Sequence, residues 1–540
     1  GLLRQPGPPR RVPRRAGGGA YTPAPPLPSA MRPTYTRREA LRTLGTAVAG
    51  LPLGARLAGA APREPAPNVL FIMTDDQRQD AMGAYGNPVL RTPHMDRIAA
   101  GGVRFTEAFT TNALCGPSRA SVLTGLYSHA HGVVTNGDGP QFYNGPGLDP
   151  AQPTFVERLH AAGYHTGLVG KWHLKSRPTG FDEWVIFPWQ GEYRDPDMIA
   201  NGVPLRFRGH ADDVVGDQAL MFLERRPPGR PFCLLYQFKS PHRNWEPAER
   251  HAHAFEGEAL PIPRTLEDRL EGRSEALRAA QMALADMPDY RDRVPASLPP
   301  DERARRNLEI LTTNYYRVLL SVDENVGRVL DFLDAHELAR DTVVVYTSDN
   351  GHFLGEHGLY DKRLMYEPSI RVPLLVRYPA LVPEGFVDRE HLVLNVDVAP
   401  TLLQLAGVPL PFGLHGRSVQ PLLQRAAVPW RDAFLYEYYE YPAGHCVRKH
   451  RGVRSHRWKL IHFFEQPEEW ELYDLAADPD ETRNLAGDPA HAGPVAALRA
   501  RLAALRRELG DADPPGPVPL AEGCRDGHAL GYPAAGAPQE

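Results

Sequence analysis

Cys115 heads the run Cys115-Gly-Pro-Ser-Arg119. Arg119 lies four residues on, which on a helix puts a cation on the same face as the thiol. A helix from Ser118 onward, with residue 115 at its start, adds free backbone N–H groups and a positive dipole end, and both favour an anion. Elsewhere Asp75-Asp76 and Asp349-Asn350 offer four oxygen-donor side chains. Such a set suits a hard cation, Ca²⁺ or Mg²⁺, and lacks the soft or imidazole-rich character of a zinc site. Lys171 and His173, in Gly170-Lys171-Trp172-His173, and His242, in Ser240-Pro-His-Arg-Asn-Trp245, add cations and proton carriers. Taken singly these signals are weak, because paired acids at a strand end are most often a turn or a helix cap.

Their positions along the chain connect them. Val69–Met73, His165–Val169, Phe232–Phe238 and Thr342–Tyr346 are continuous apolar runs, the pattern of buried parallel strands. The polar groups stand just past the carboxyl ends of these runs, at the edge where open α/β sheets bind ligands. Helical spacing of apolar residues fills the gaps over Thr92–Gly101, Thr154–Ala162, Asp212–Glu224 and Asn314–His336. Residues 255–300, rich in charge and proline, read as an insertion or lid rather than core. From about residue 416 shorter strands take over, as in Phe434–Tyr438 and Trp458–Phe464, before an amphipathic helix over Pro494–Leu509. The expected organisation is an export signal and extension over 1–60, a catalytic domain over 65–415, a C-terminal subdomain over 416–510 and a flexible tail over 511–540.

The chain has 540 residues and a net charge of −4. Residues 1–60 carry ten arginines and one acid, so the remainder, with 51 Lys and Arg against 64 Asp and Glu, stands at −13. A nucleic-acid partner held by a broad basic face is thereby excluded, and an anionic substrate must be met by a local cluster of cations. No apolar run reaches the roughly 18–20 residues of a membrane-spanning helix. Thr36-Arg37-Arg38-Glu39-Ala40-Leu41, the weakly apolar Leu44–Leu57 and the small residues Ala58-Gly59-Ala60 resemble a twin-arginine export signal, with Met31 as a possible start. The expected location is periplasmic or secreted. The four cysteines, Cys115, Cys233, Cys446 and Cys524, show no paired metal-ligand spacing, and so few in an exported chain argue against a disulfide framework.

Cys115-Gly-Pro-Ser-Arg119 followed by Leu123-Thr124-Gly125 resembles the signature of type I sulfatases, and the likeness runs from about Asn68 to Leu485. It implies an alkaline-phosphatase-like α/β core, a large mixed, mainly parallel sheet between helices, with a smaller C-terminal α/β subdomain built on a short antiparallel sheet. It also implies that a formylglycine-generating enzyme oxidises Cys115 to formylglycine during maturation. One hydroxyl of the hydrated aldehyde attacks sulfur, and the other loses its proton so that sulfate leaves. By the same resemblance Asp75, Asp76, Asp349, Asn350 and residue 115 hold Ca²⁺, with Mg²⁺ as the alternative. Arg119 stabilises the formylglycine, Lys171 bridges residue 115 and sulfate, and His173 takes the proton when sulfate is released. His242 binds sulfate and protonates the leaving oxygen, and Lys362, in Tyr360-Asp-Lys-Arg-Leu-Met-Tyr366, is the second sulfate-binding lysine.

Lys171–Tyr193 and Tyr360–Pro379 resemble bacterial N-acetylglucosamine-6-sulfatases, which implies a sulfated carbohydrate substrate from mucin or glycosaminoglycan. Iduronate-2-sulfatase, N-sulfoglucosamine sulfohydrolase and a phosphonate or phosphate ester hydrolase of the same superfamily are the alternatives. His131 reads as structural; His352 and His357 are candidates to stand behind the metal or near the sugar. Arg243, Trp245, Trp189, His445, Arg448, His450 and Arg451 are candidate substrate contacts.

Overall fold

A computed structural model describes residues 66–136, 147–441, 444–465 and 467–512. The export signal expected over 1–60 and the tail beyond Ala512 lie outside these residues. Ten strands make the main sheet: β1 (Asn68–Thr74), β2 (Val103–Phe105), β3 (His165–Gly170), β4 (Glu183–Ile186), β5 (Asp197–Ala200), β6 (Val203–Arg206), β7 (Phe232–Gln237), β8 (Thr342–Ser348), β9 (Leu374–Arg377) and β10 (Phe386–Asp388). They lie in the order β10-β2-β9-β8-β1-β7-β3-β4-β5-β6. The central five, β8 to β4, run parallel; β9 and β5 run against them, and β2, β10 and β6 return to the central direction.

Strand alternation explains why β1 is apolar throughout. Val69, Phe71 and Met73 face one core, and Leu70 and Ile72 face another. The first core takes residues of α1 (Cys115–Thr124) and α2 (Phe155–Ala161); the second packs under α3 (Ala211–Arg225) and α4 (Pro300–Ala335). Helix α4 starts fourteen residues before the expected Asn314. A proline in its first turn and the acids Asp301 and Glu302 set that start. Residues 255–300 differ from the expected lid, since Leu284, Met287 and Tyr290 are buried in the main core.

The C-terminal part is an antiparallel sheet of β11 (Ala433–Tyr438), β12 (His450–Ser455), β13 (Trp458–Phe463) and β14 (Glu469–Asp474). Helix α5 (Ala492–Leu509) covers it through Leu498, Leu502 and Leu505. Cys115 and Cys233 are buried free thiols, while Cys446 is disulfide-bonded.

Buried charge joins this sheet to the main one. Lys459 on β13 is fully buried, its Nζ paired with Glu481 and 2.9 Å from Glu367 Oε1. Arg454 on β12 reaches Glu107 at 3.0 Å and Glu367 at 3.3 Å, and Arg371 reaches the same two acids at 2.7 Å each. Three cations thus neutralise three carboxylates in a largely buried interface. Lys459→Met is expected to destabilise the protein by about 3–5 kcal/mol, because it leaves the buried Glu481 carboxylate without its ammonium. Denaturant unfolding measures it, and a midpoint shift equivalent to less than about 1 kcal/mol would contradict the network's role.

Candidate active site

Register brings the chemistry-bearing residues to one place. Thr74 is level with Ser348, and both Met73 and Gly170 are level with Gln237. The residues that follow therefore leave the sheet together. Asp75 N donates to Ser240 O at 3.1 Å, Asp349 N to Thr74 O at 3.2 Å and Lys171 N to Gln237 O at 2.9 Å. Gly170 is required at this edge. Its φ is +100°, and a Cβ there would lie 1.7 Å from the Gln237 carbonyl oxygen. Lys362 follows directly on the short antiparallel pairing of Phe353–Leu354 with Tyr360–Asp361.

Helix α1 starts at Cys115 itself, three residues before the expected Ser118, with Leu114 extended before it. Every residue of this helix is buried. Cys115 Sγ lies 3.5 Å from Asp75 Oδ1, and burial together with the Asp75 charge pushes the thiol well above its ordinary pKa. Arg119, one turn on, is the hub. Its Nε donates to Asp349 Oδ2 at 2.9 Å and its Nη2 to Asp75 Oδ2 at 3.0 Å. Its Nη1 donates to Gln237 Oε1 at 2.7 Å and to Lys171 O at 2.8 Å. One guanidinium therefore ties four strand ends together.

Oxygen atoms of Asp75, Asp76 and Asp349 lie within 4.8 Å of one another, all buried. Lys362 Nζ donates to both Asp76 oxygens, at 2.6 Å to Oδ2. Lys171 Nζ pairs with Asp75 and donates to Gln190 Oε1 at 2.6 Å. Burial raises Asp76 to about 7, reinforced by Asp75 and Asp349 and opposed by Lys362. Asp349 rises for the same reasons, burial first and then the Asp75 charge. Asp75 goes the other way, because Lys171, His242, Arg119 and Lys362 outweigh its burial. Asn350 Nδ2 donates to Asp76 Oδ1 at 2.7 Å, while Asn350 Oδ1 is buried with no hydrogen-bond partner. Three crowded carboxylates beside an unpartnered amide oxygen fit a hard divalent cation.

His242 Nε2 stands 3.8 Å from Asp76 Oδ2, and its Nδ1 meets Arg243 O at 2.9 Å. His173 sits under Trp189, ring centroids 4.6 Å apart and edge to face. Both histidines are held neutral, by burial and then by the Lys171 charge.

The remaining candidates divide. His445 Nε2 lies 3.1 Å from Asp361 Oδ2, beside Lys362, and Arg243 is 3.6 Å from the same carboxylate and held by Asp289 at 3.0 Å. Trp245 and His352 pack edge to face next to Tyr290 and Tyr315. His131 is structural, bonded to Ser121 Oγ at 3.0 Å and to Val133 N at 3.1 Å. His357 pairs with Asp268 at 2.8 Å. Arg448, His450 and Arg451 are engaged within the C-terminal part. Arg448 holds Glu469, His450 is buried among Tyr436, Tyr438 and Phe463, and Arg451 meets Asp511 and Phe464. Sequence reasoning did not single out Gln237, Gln190, Asp361 or Lys239, although Gln237 and Lys239 stand at a strand end already marked. Burial and then the Lys171 charge lower buried Lys239 to about 7.

Residues 67–408 match the Sulfatase family, and residues 355–508 match the N-sulphoglucosamine sulphohydrolase C-terminal family. An N-acetylglucosamine-6-O-sulfatase of Bacteroides thetaiotaomicron is 39% identical over 497 residues, which cover 83% of this chain and 88% of that protein. A solved structure of a protein in complex with its substrate D-glucosamine-2-N,6-O-disulfate matches with a TM-score of 0.77 and 38% identity, covering 83% of this chain and 99% of that one. A phosphonate monoester hydrolase of Agrobacterium radiobacter shares the fold, with a TM-score of 0.64 and 23% identity over 82% of this chain and 96% of that one. The architecture is the alkaline-phosphatase-like sulfatase fold, and the chain belongs to the sulfatase family of sulfuric ester hydrolases.

Proposed function

We propose that this chain removes the 6-O-sulfate of N-acetylglucosamine in a mucin or glycosaminoglycan, using residue 115 as formylglycine beside Ca²⁺, with Mg²⁺ as the alternative ion. The observation that carries this reading is the buried helix start at Cys115, ringed by Lys171, Lys362, His242 and three carboxylates. Support for the sugar comes from two matches described above, a relative named as an N-acetylglucosamine-6-O-sulfatase and a solved structure that holds D-glucosamine-2-N,6-O-disulfate as substrate.

Formylglycine, as its hydrate, supplies one hydroxyl to attack sulfur and a second whose deprotonation releases sulfate. A divalent cation held by Asp75, Asp76, Asp349, Asn350 and residue 115 supplies charge that acidifies the hydroxyl and polarises sulfate oxygens. The ammonium groups of Lys171 and Lys362 bind the sulfate oxygens, and the Nε2 of His242 reaches the oxygen that leaves. A sulfate placed among these cations raises the proton affinity of His242, which lets it protonate the departing alkoxide. Neutral His173 takes the proton whose loss expels sulfate. Arg119 fixes Asp75 and Asp349 so that residue 115 meets a preset array of oxygens.

The reading includes maturation by a formylglycine-generating enzyme and export by the twin-arginine route. It also takes residues 65–415 as the catalytic unit and 416–510 as a subdomain that completes the pocket. Among the described residues no helix is long and apolar enough to cross a membrane.

A panel of defined sugars tests the substrate. N-acetylglucosamine 6-sulfate should be turned over with kcat/KM at least about tenfold above 2-sulfated iduronate, N-sulfoglucosamine and an aryl phosphonate, the scale on which a mismatched polar pocket discriminates. A preference for any of the others would replace this assignment.

A further inference from the structure

Lys239 stands two residues past the end of β7 and is 3% exposed, and the roles assigned so far leave it unused. Among the described residues it makes no ion pair, and the acceptor its Nζ finds is a main-chain carbonyl. A buried amine without a carboxylate is costly, which directs attention to what it holds. Nζ donates to Arg243 O at 3.0 Å, the same oxygen that His242 Nδ1 meets at 2.9 Å. A carbonyl oxygen has two lone pairs and takes both bonds. Because it only accepts, Nδ1 of His242 carries the ring proton, and Nε2, 3.8 Å from Asp76 Oδ2, keeps its lone pair unused. Tyr193 completes the brace. Its ring lies 4.7 Å from Lys239 Nζ, and its hydroxyl donates to His242 O at 2.6 Å. Lys239 and Tyr193 therefore fix two consecutive carbonyls, those of His242 and Arg243, and with them the imidazole.

We propose that Lys239 is a positioning residue, which holds the Arg243 carbonyl so that the His242 ring keeps one proton on Nδ1 and turns Nε2 to the leaving oxygen. An amine donates through N–H whether charged or neutral, so the hold survives its loss of a proton. The step it serves is cleavage of the ester S–O bond. The S–O electron pair goes to the departing oxygen, the Nε2 proton of the imidazolium follows it, and the ring is left neutral with its proton on Nδ1. Placement of that acid matters most when the departing oxygen is strongly basic, as in a sugar alcohol, because an acidic phenol leaves with little help. This inference rests on the reading of His242 as the acid of that step.

The test is Lys239→Met, which keeps the stem and removes the N–H groups. kcat/KM is measured for N-acetylglucosamine 6-sulfate and for 4-nitrophenyl sulfate, on protein matched to the parent for formylglycine and calcium content. Both esters carry the same sulfate, so a change in the charge around it cancels in the comparison. The loss on the sugar should be about 10²-fold, the scale of misplacing a catalytic group, and should exceed the loss on the phenol ester by at least about thirtyfold. The melting temperature should not drop, because the substitution removes a buried amine that no carboxylate pairs. Equal losses on the two esters mark an electrostatic or merely structural role and overturn the proposal, as does no loss on either. His242→Ala, run alongside, separates the two readings. If His242→Ala lowers both esters equally, the acid assignment falls and takes this inference with it; if His242→Ala separates the esters while Lys239→Met does not, Lys239 alone is refuted. If the parent does not turn over the sugar, the sugar assignment falls, and phenyl sulfate serves as the ester with the more basic leaving oxygen; the two losses should then differ by about tenfold.

Discussion

Replacing Cys115 by alanine is expected to lower sulfate-ester turnover by about 10⁴-fold or more, the scale of losing a covalent nucleophile. The fold should survive. The substitution removes one sulfur atom from the first turn of a fully buried helix whose other contacts, made by Ser118, Arg119, Ser121 and the core residues Ala120, Val122 and Leu123, stay in place. The stability cost should stay near about 1 kcal/mol, as for other small buried truncations. Turnover and a denaturant midpoint on the same sample separate the two effects. Near-normal turnover by the alanine protein would end the assignment of residue 115 as nucleophile. Inactivity with a collapsed fold would show instead that Cys115 is a packing residue.

Asp349→Ala carries the second large effect. One oxygen of this carboxylate accepts from Asp76 N at 3.1 Å and Asn350 N at 2.8 Å, and the other accepts from Arg119 Nε at 2.9 Å. Alanine takes one of two carboxylates from a buried guanidinium, leaving Asp75 alone to balance it, at a cost of up to about 3 kcal/mol, and withdraws a ligand oxygen from the proposed cation site. Asp349→Asn is the sharper variant, because it keeps the shape and an acceptor oxygen while deleting the charge. It should stay folded and retain less than about a tenth of the parent's bound Ca²⁺ at equal free ion, consistent with affinity set by ligand charge count. A folded asparagine protein with full metal content would remove Asp349 from the ligand set.

The placement of most site residues was legible before any coordinates, for a physical reason. A parallel strand buried on both faces must be apolar along its whole length, so each run ends abruptly where polar residues begin. Asp75, Lys171, His242 and Asp349 all follow such an end, and the register of β8, β1, β7 and β3 levels those ends. Helix starts were less legible. Residues 300–313 are dominated by charge, and what keeps them helical is the packing of Leu308 and Leu311, which a local pattern does not display. The Arg448, His450 and Arg451 candidates failed differently. Polar residues in or just before a strand look alike whether they face a pocket or a neighbouring element, and these find Glu469, aromatic rings and Asp511 instead. Gln190 and Gln237 could not be singled out, because an amide acquires meaning only from the two groups it touches.

The complete burial of Cys115 sets a timetable for the cell. Asp349, whose main-chain carbonyl receives the Ser118 hydroxyl, is translated about 230 residues after Cys115, which at ordinary ribosomal speed takes roughly 10–50 s. Once that strand slots in beside β1, no catalyst large enough to be a protein can touch the sulfur. On the maturation proposed above, an oxidising enzyme would have to meet the nascent polypeptide within that interval or find it held open by a chaperone. A host that folds this chain faster than it modifies it would accumulate well-formed, soluble and inert copies.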